Sequence, residues 1–234
     1  MLTLHDVHTS YGDVKALQGI NMEIPEGAVV ALLGRNGMGK TTTVHSIIGF
    51  TPPEQGNITF KGQELRGRKP NDIAQMGLAL VPQGKRIFPS LSVRENLTVG
   101  VRQRANGRTW TLDEIYDLFP VLKDRAHFGG TLLSGGEQQM LAVARALLTA
   151  PDLVLMDEPS EGLAPMLVQH LGRIINQLRD EVLSVLLVEQ NMGLALSIAD
   201  LVYIVNRGEI VYHGTPADLS ADEDVKTRYL GASV

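Results

Sequence analysis

The octapeptide GRNGMGKT, residues Gly34 to Thr41, satisfies G-x-x-x-x-G-K-[ST] at every fixed position. An apolar run, AVVALL, precedes it and TTVHSII follows it. A strand, a glycine-rich turn and a helix are the context that the pattern requires. The glycines let backbone N–H groups turn inward around phosphates, and the following helix contributes the positive end of its dipole. Lys40 is expected to reach the β- and γ-phosphates, and the Thr41 hydroxyl to ligate Mg²⁺. The rival reading, a glycine-rich turn with a stray lysine, leaves the flanking strand and helix unexplained. Gly34, Arg35, Asn36, Gly37, Met38, Gly39, Lys40, Thr41 and Thr42 are therefore the candidate nucleotide-binding residues, with a nucleoside triphosphate and Mg²⁺ as the expected ligands.

Matching carboxylates lie further along, in LVLMDEP at 153–159. An apolar strand that ends in Asp157 delivers an acid to the carboxyl edge of a sheet, where ligands of such folds sit. Asp157 is assigned to the Mg²⁺ shell. Glu158 is assigned to orient or deprotonate a water that attacks the γ-phosphate. An Asp-Glu pair after a strand is common by itself; with the phosphate loop it gains meaning.

The rest of the chain frames these two motifs. Its 234 residues, 44% hydrophobic, suffice for a substantial core. A net charge of −5 argues against a nucleic-acid surface, and the absence of cysteine rules out disulfides and thiolate metal sites. Of the six histidines, His5 and His8 are the closest pair; three apart on a strand they point to opposite faces, which disfavours a metal site. The N-terminus lacks a basic-then-apolar leader pattern, and no apolar run approaches the ~20 residues that span a bilayer. A soluble protein is expected, with any membrane role borne by another chain.

Strands are predicted over 2–7, 16–24, 28–33, 56–60, 78–81, 153–156, 184–188, 201–205 and 209–213. Helices are predicted over 40–48, 135–149, 165–179 and 192–197. In the third, Leu167, Val168, Leu171, Ile174, Ile175 and Leu178 form one apolar stripe. From about 84 to 132 the strand signals stop, and two capping boxes appear, Ser92 with Glu95 and Thr111 with Glu114. Between them RQRANGR reads as a solvated turn. The expected organisation is a single domain over 1–234, an α/β core (1–83 and 133–234) with an inserted helical subdomain (84–132).

LSGGEQQ, at 133–139, poses a separate question. Ser134 and Glu137 form another capping box, yet Gly135 and Gly136 occupy a first turn where each costs about 1 kcal/mol against alanine. Bare N–H groups and the Ser134 hydroxyl make this a second anion-ready helix end. The lesser alternative is a glycine-rich helix start kept for packing.

LSGGEQQ resembles the signature motif of ATP-binding-cassette ATPases, and the flanking motifs stand in that family's order along essentially the whole chain. The resemblance implies a P-loop NTPase (RecA-like) α/β core with an antiparallel β subdomain and an inserted helical subdomain. Tyr11 sits where the family has an aromatic residue stacked on adenine. Gln83, in LVPQG, matches the glutamine that senses the γ-phosphate and Mg²⁺ and links the helical lobe to a membrane partner. In that family two subunits sandwich two nucleotides, so Ser134, Gly135, Gly136 and Glu137 would serve a partner's ATP. The resemblance thus implies ATP-driven closure of a pair of cassettes, coupled to integral membrane permease subunits at the cytoplasmic face of the inner membrane. Phe88 and Leu91 in IFPSLSVRENL would face the permease's short cytoplasmic helix, or belong to the core of the lobe.

The chain departs from the family at two places. Gln190 stands where a histidine usually contacts the γ-phosphate; an amide donates a hydrogen bond but cannot become a cation. The loop after Pro159 reads SEGLAP, with Ala164 in place of an aspartate. GRNGMGKTT, SEGLAP and VEQN together resemble ATPase subunits of branched-chain amino acid importers, which pair two different ATPases under a permease supplied by an extracytoplasmic binding protein. Importers of urea and short amides carry similar subunits, and the other alternative is a nucleotide-gated scaffold that binds ATP but hardly cleaves it, on account of Gln190. The implied catalytic set is Glu158, Gln190 and Lys40, with Thr41, Gln83 and Asp157 at the metal. A P-loop kinase would leave LSGGEQQ unexplained, a GTPase would need an Asn-Lys-x-Asp base reader that is missing, and fused or coiled-coil cassettes acting on ribosomes or DNA are longer.

Overall fold

The apolar runs divide between two sheets in the computed structural model, which describes residues 1–102 and 108–231. The first is antiparallel, with β1 (Leu2–Tyr11), β2 (Val14–Ile24), β4 (Gln55–Phe60) and β5 (Gln63–Glu64) in the order β2-β1-β4-β5. The second contains β3 (Val29–Leu33), β6 (Leu78–Val81), β7 (Leu153–Asp157), β8 (Ser184–Glu189), β9 (Leu201–Asn206) and β10 (Glu209–Gly214). Its order is β10-β9-β3-β8-β7-β6, parallel throughout except for β10, which returns antiparallel on β9.

Every residue of β3, β7 and β8 is buried, as their unbroken apolar runs require of parallel strands covered on both faces. Successive side chains feed opposite layers. Val30, Leu32, Leu153, Leu155, Leu186 and Val188 pack toward the antiparallel sheet and α1 (Lys40–Ile48). Val29, Val154, Met156, Val185 and Leu187 pack on the other face. There they meet α6 (Gly135–Leu147) and α7 (Pro165–Asp180), whose Leu171, Ile174, Ile175 and Leu178 carry the expected stripe.

Between 84 and 132 the described residues contain no named strand. They form α3 (Val93–Thr98), α4 (Leu112–Leu118) and α5 (Pro120–Asp124), followed by a 3₁₀ turn. Both capping boxes form: the Glu95 and Glu114 amides donate to Ser92 Oγ and Thr111 Oγ1, each at 3.2 Å. The turn read in RQRANGR lies for the most part (103–107) outside the described residues. Val93, Leu97, Trp110, Ile115, Phe119 and Leu122 join the core beneath α6 without a break.

Several bounds differ from the sequence reading. β1 continues past Val7 to Tyr11 because Thr9, although polar, is buried and bonded to Ser46 Oγ at 2.9 Å. A bulge at Asp6 (φ 49°) shifts the register between Leu4 and Val7, and His8 Nε2 lies 3.0 Å from Asp6 Oδ1. β7 includes Asp157, and α6 stops at Leu147, two residues early. Three short helices went unread: α2 (Pro70–Gln75), α9 (Pro216–Ala221) and α10 (Glu223–Val225). They are too short to show a 3.6-residue period. α8 (Met192–Ile198) is capped by Asn191, and a π-helical turn, Lys226–Leu230, follows α10.

Candidate functional site

β3 ends at Leu33, and the chain leaves the sheet through Gly34. A Cβ there would stand 2.5 Å from the Val205 carbonyl oxygen on β9, so the exit is open to glycine alone. The loop returns into α1 through Gly39 at φ 110°, which as N-cap supplies no side-chain acceptor. The first turn of α1 also lacks an acidic residue, so its N–H donors are left for an anion. Lys40, only 4% exposed, folds back across the loop, and its Nζ donates to the carbonyls of Gly34 (2.8 Å) and Arg35 (3.2 Å). The same ammonium pairs with Glu158 Oε1 at 3.0 Å.

The ends of β7 and β8 bring the acids. Asp157 is buried, and its Oδ1 accepts from Thr41 Oγ1 at 3.2 Å. Burial pushes the Asp157 carboxyl up, against the lowering effect of the Thr41 hydroxyl. Glu158 follows in a left-handed conformation (φ 49°), with its N–H on the Val188 carbonyl at 2.9 Å. Gln83, from the loop after β6, donates from Nε2 to Glu158 Oε2 at 3.4 Å and to Glu161 Oε2 at 3.0 Å. Lys40, Thr41, Gln83, Asp157 and Glu158 are thus one contiguous cluster. Gln190 is exposed and makes none of these contacts.

The residue before it does more locally. Glu189, buried at the end of β8, accepts the backbone N–H groups of Ser160 (3.0 Å), Gln190 (3.2 Å) and Asn191 (3.1 Å), tying the loop after β7 to the loop after β8. Burial pushes its carboxyl up. The sequence reading passed over Glu189, although an acid closing the apolar run SVLLV was a signal.

A cleft of about 480 Å³ opens over the phosphate loop. Tyr11, half exposed, stands in its wall with Asn36, Gly37, Gly39, Lys40, Thr41, Thr42, Gln83 and Glu158. Val14, Lys15, Ala16 and Arg207 complete it and were not read from the sequence. Arg207 lies in the turn between β9 and β10, where the Gly208 N–H donates to the Met38 carbonyl at 2.9 Å. No periodicity announces such a long-range contact. The donor chemistry fits Mg²⁺: a buried carboxylate, a hydroxyl and an amide supply hard oxygens. Among the described residues no three His, Asp or Glu side chains form a metal cage, so phosphate and water oxygens would fill the remaining positions.

Ser134 to Glu137 do not line this cleft. The Ser134 N–H donates to Glu137 Oε2 at 2.6 Å, and Arg125 pairs with Glu137 Oε1 at 3.0 Å. The two glycines have separate explanations. Gly136 is buried, and a Cβ on it would be driven into Leu167 Cδ1 of α7, so packing accounts for it. Ser134 and Gly135 are exposed, and Lys85 Nζ stands 3.0 Å from where a Cβ on Gly135 would lie. Gly136→Ala should incur an overpacking cost of about 1–3 kcal/mol against Leu167, offset by roughly 1 kcal/mol of helix propensity, for a net loss of up to about 2 kcal/mol that lowers the melting temperature by up to roughly 8 °C. Adding Leu167→Ala should relieve part of that loss, as measured by urea unfolding; an undiminished loss in the double variant would refute the packing account.

The sequence profile of the ABC transporter family matches residues 17–161. The high-affinity branched-chain amino acid transport ATP-binding protein BraG of Pseudomonas aeruginosa is 42% identical over 232 residues, covering 99% of this chain and 100% of its own. The lipopolysaccharide export system ATP-binding protein LptB of Escherichia coli is 35% identical over 234 residues, covering 98% and 97%. A nucleotide-free ATP-binding cassette from an ABC transporter superposes with a TM-score of 0.86 at 22% identity, over 100% of this chain and 99% of its own, which shows a common fold. With this profile match, these full-length relatives and the phosphate loop and acid pair brought together, the chain belongs to the ABC transporter family, as an ATP-hydrolysing cassette.

Proposed function

We propose that this cassette drives import of branched-chain or related hydrophobic amino acids, with ATP hydrolysed at the cleft over Gly34–Thr42. The observation that carries the chemistry is the Lys40–Glu158 pair, 3.0 Å apart and nearly buried at the cleft floor. ATP offers Lys40 a stronger partner in its β- and γ-phosphates, and the ammonium leaves Glu158 for them. The freed carboxylate takes a proton from water as the water oxygen bonds to the γ-phosphorus. The bond from that phosphorus to the β,γ-bridging oxygen breaks, giving ADP and phosphate. Thr41, Asp157 and Gln83 would hold Mg²⁺, which supplies charge neutralisation on the phosphate oxygens. Tyr11 offers its ring to adenine, and Gln190 an amide N–H to the γ-phosphate.

Ser134, Gly135 and Glu137 belong, in this reading, to the ATP on a second cassette, and closure around two nucleotides is the power stroke. Residues 84–132 would act as a helical lobe. An apolar groove of about 430 Å³, with Phe50, Phe88, Val99 and Arg145 in its wall, would receive a short permease helix at the cytoplasmic face of the membrane. An extracytoplasmic binding protein would supply the solute. The import assignment is supported by the BraG likeness along the full chain and by the SEGLAP and VEQN segments.

Steady-state ATP hydrolysis, measured for this chain alone and then with candidate second cassettes, tests the arrangement. Turnover is expected to rise sharply with a different cassette, since Gln190 makes the two sites unequal. Full turnover by this chain alone, unchanged by any partner, would mean that Gln190 suffices in a homodimer and would overturn the pairing of two different cassettes.

A further inference from the structure

We propose that Glu161 is the positioning residue that orients the Gln83 amide so that its oxygen is presented to Mg²⁺. This rests on the assignment of Gln83 as an oxygen donor to the metal. A carboxylate only accepts hydrogen bonds, so the side of Gln83 that faces Glu158 and Glu161 must be its NH₂ group. The amide oxygen is then turned away from both acids, and among the described residues no donor engages it.

Of the two acids, Glu161 is the one suited to hold Gln83 through a turnover. Its bond to Nε2 is the shorter, 3.0 Å against 3.4 Å. Glu158 is already shared with Lys40 and has to be free to take a proton from water. Glu161 has no other side-chain partner among the described residues, and its backbone is fixed before any ligand arrives. Its N–H donates to the Glu158 carbonyl at 3.1 Å, the Leu163 N–H to the Ser160 carbonyl at 3.1 Å, and the Ser160 N–H to buried Glu189 at 3.0 Å. A third acid beside Asp157 and Glu158 raises local repulsion. The Gln83 NH₂ group, set between Glu158 and Glu161, offsets it, which explains how an acid is tolerated there.

The test is Mn²⁺ binding to the purified cassette saturated with a non-hydrolysable ATP analogue, followed by electron paramagnetic resonance. Glu161→Ala should weaken Mn²⁺ binding about tenfold. Glu161→Gln should stay within about twofold of the parent, because its amide oxygen still accepts from Gln83. Gln83→Ala should match Glu161→Ala, and the double variant should be no weaker than Gln83→Ala alone. Loss of charge alone would make Glu161→Gln and Glu161→Ala equal, and that result overturns the proposal, as does parental affinity in Glu161→Ala. Unchanged affinity in Gln83→Ala would instead remove the metal role of Gln83, and this proposal with it.

Discussion

Glu158→Gln should bind ATP at least as tightly as the parent and hydrolyse it about 100-fold more slowly or worse. The substitution keeps the shape of the side chain and an oxygen for Lys40 Nζ, so the floor of the cleft stays filled. It removes a negative charge next to the place where the triphosphate lands, and it removes the competitor that holds Lys40 at 3.0 Å. Binding therefore gains or stays level. Proton transfer fails because an amide at neutral pH cannot accept the water proton. ATP should then accumulate in the closed, paired state, visible as an ATP-dependent dimer in size-exclusion chromatography. Hydrolysis at the parental rate would show that another group is the base.

Lys40→Ala should act on the opposite side of the same pair. ATP affinity should fall about 100-fold, as expected for the loss of two charge-assisted contacts to phosphate. The nucleotide-free protein should suffer as well. Lys40 is 4% exposed and Glu158 10%, so truncation leaves a nearly buried carboxylate without its cation. Such an orphan costs about 3 kcal/mol. The carbonyls of Gly34 and Arg35 lose their donor at the same time. Adding Glu158→Gln to Lys40→Ala should restore much of the stability and none of the ATP affinity. Urea unfolding and isothermal titration separate the two effects, and parental ATP binding in Lys40→Ala would contradict the phosphate-loop assignment.

What could be read from the sequence was whatever is local. GRNGMGKT, the apolar run ending in Asp157 and the three capping boxes each lie within a few residues, so spacing alone exposed them. The contacts that join them were hidden because they cross the chain. Arg207 reaches the phosphate loop only through the β9–β10 turn against Met38. Glu189 is visible in the sequence as an acid closing an apolar run, but the backbone N–H groups through which it ties two loops together have no signature there. The first strand read as ending at Val7 because the buried partner of Thr9, Ser46, lies on a helix 37 residues away. The Gly135-Gly136 pair is instructive in a different manner. Identical residues sit side by side for unlike reasons, one packed under Leu167 and the other exposed.

The neighbours of β3 set the order in which the nascent chain acquires its chemistry. β3 bonds to β8 and β9 alone, and both lie more than 140 residues downstream in the sequence. The antiparallel sheet, by contrast, draws on residues 2–64 and can form while the ribosome is still far from β8. At synthesis rates of 5–20 residues per second, β3 waits roughly 10–30 s for its second neighbour. Until β8 is made both of its edges are bare and apolar, and such edges invite pairing with other chains. Gly34 likewise lacks the wall of β9 against which the phosphate loop is shaped. Protection of the nascent chain would therefore matter most for this strand, and the phosphate loop cannot take its final shape until β9 has been made.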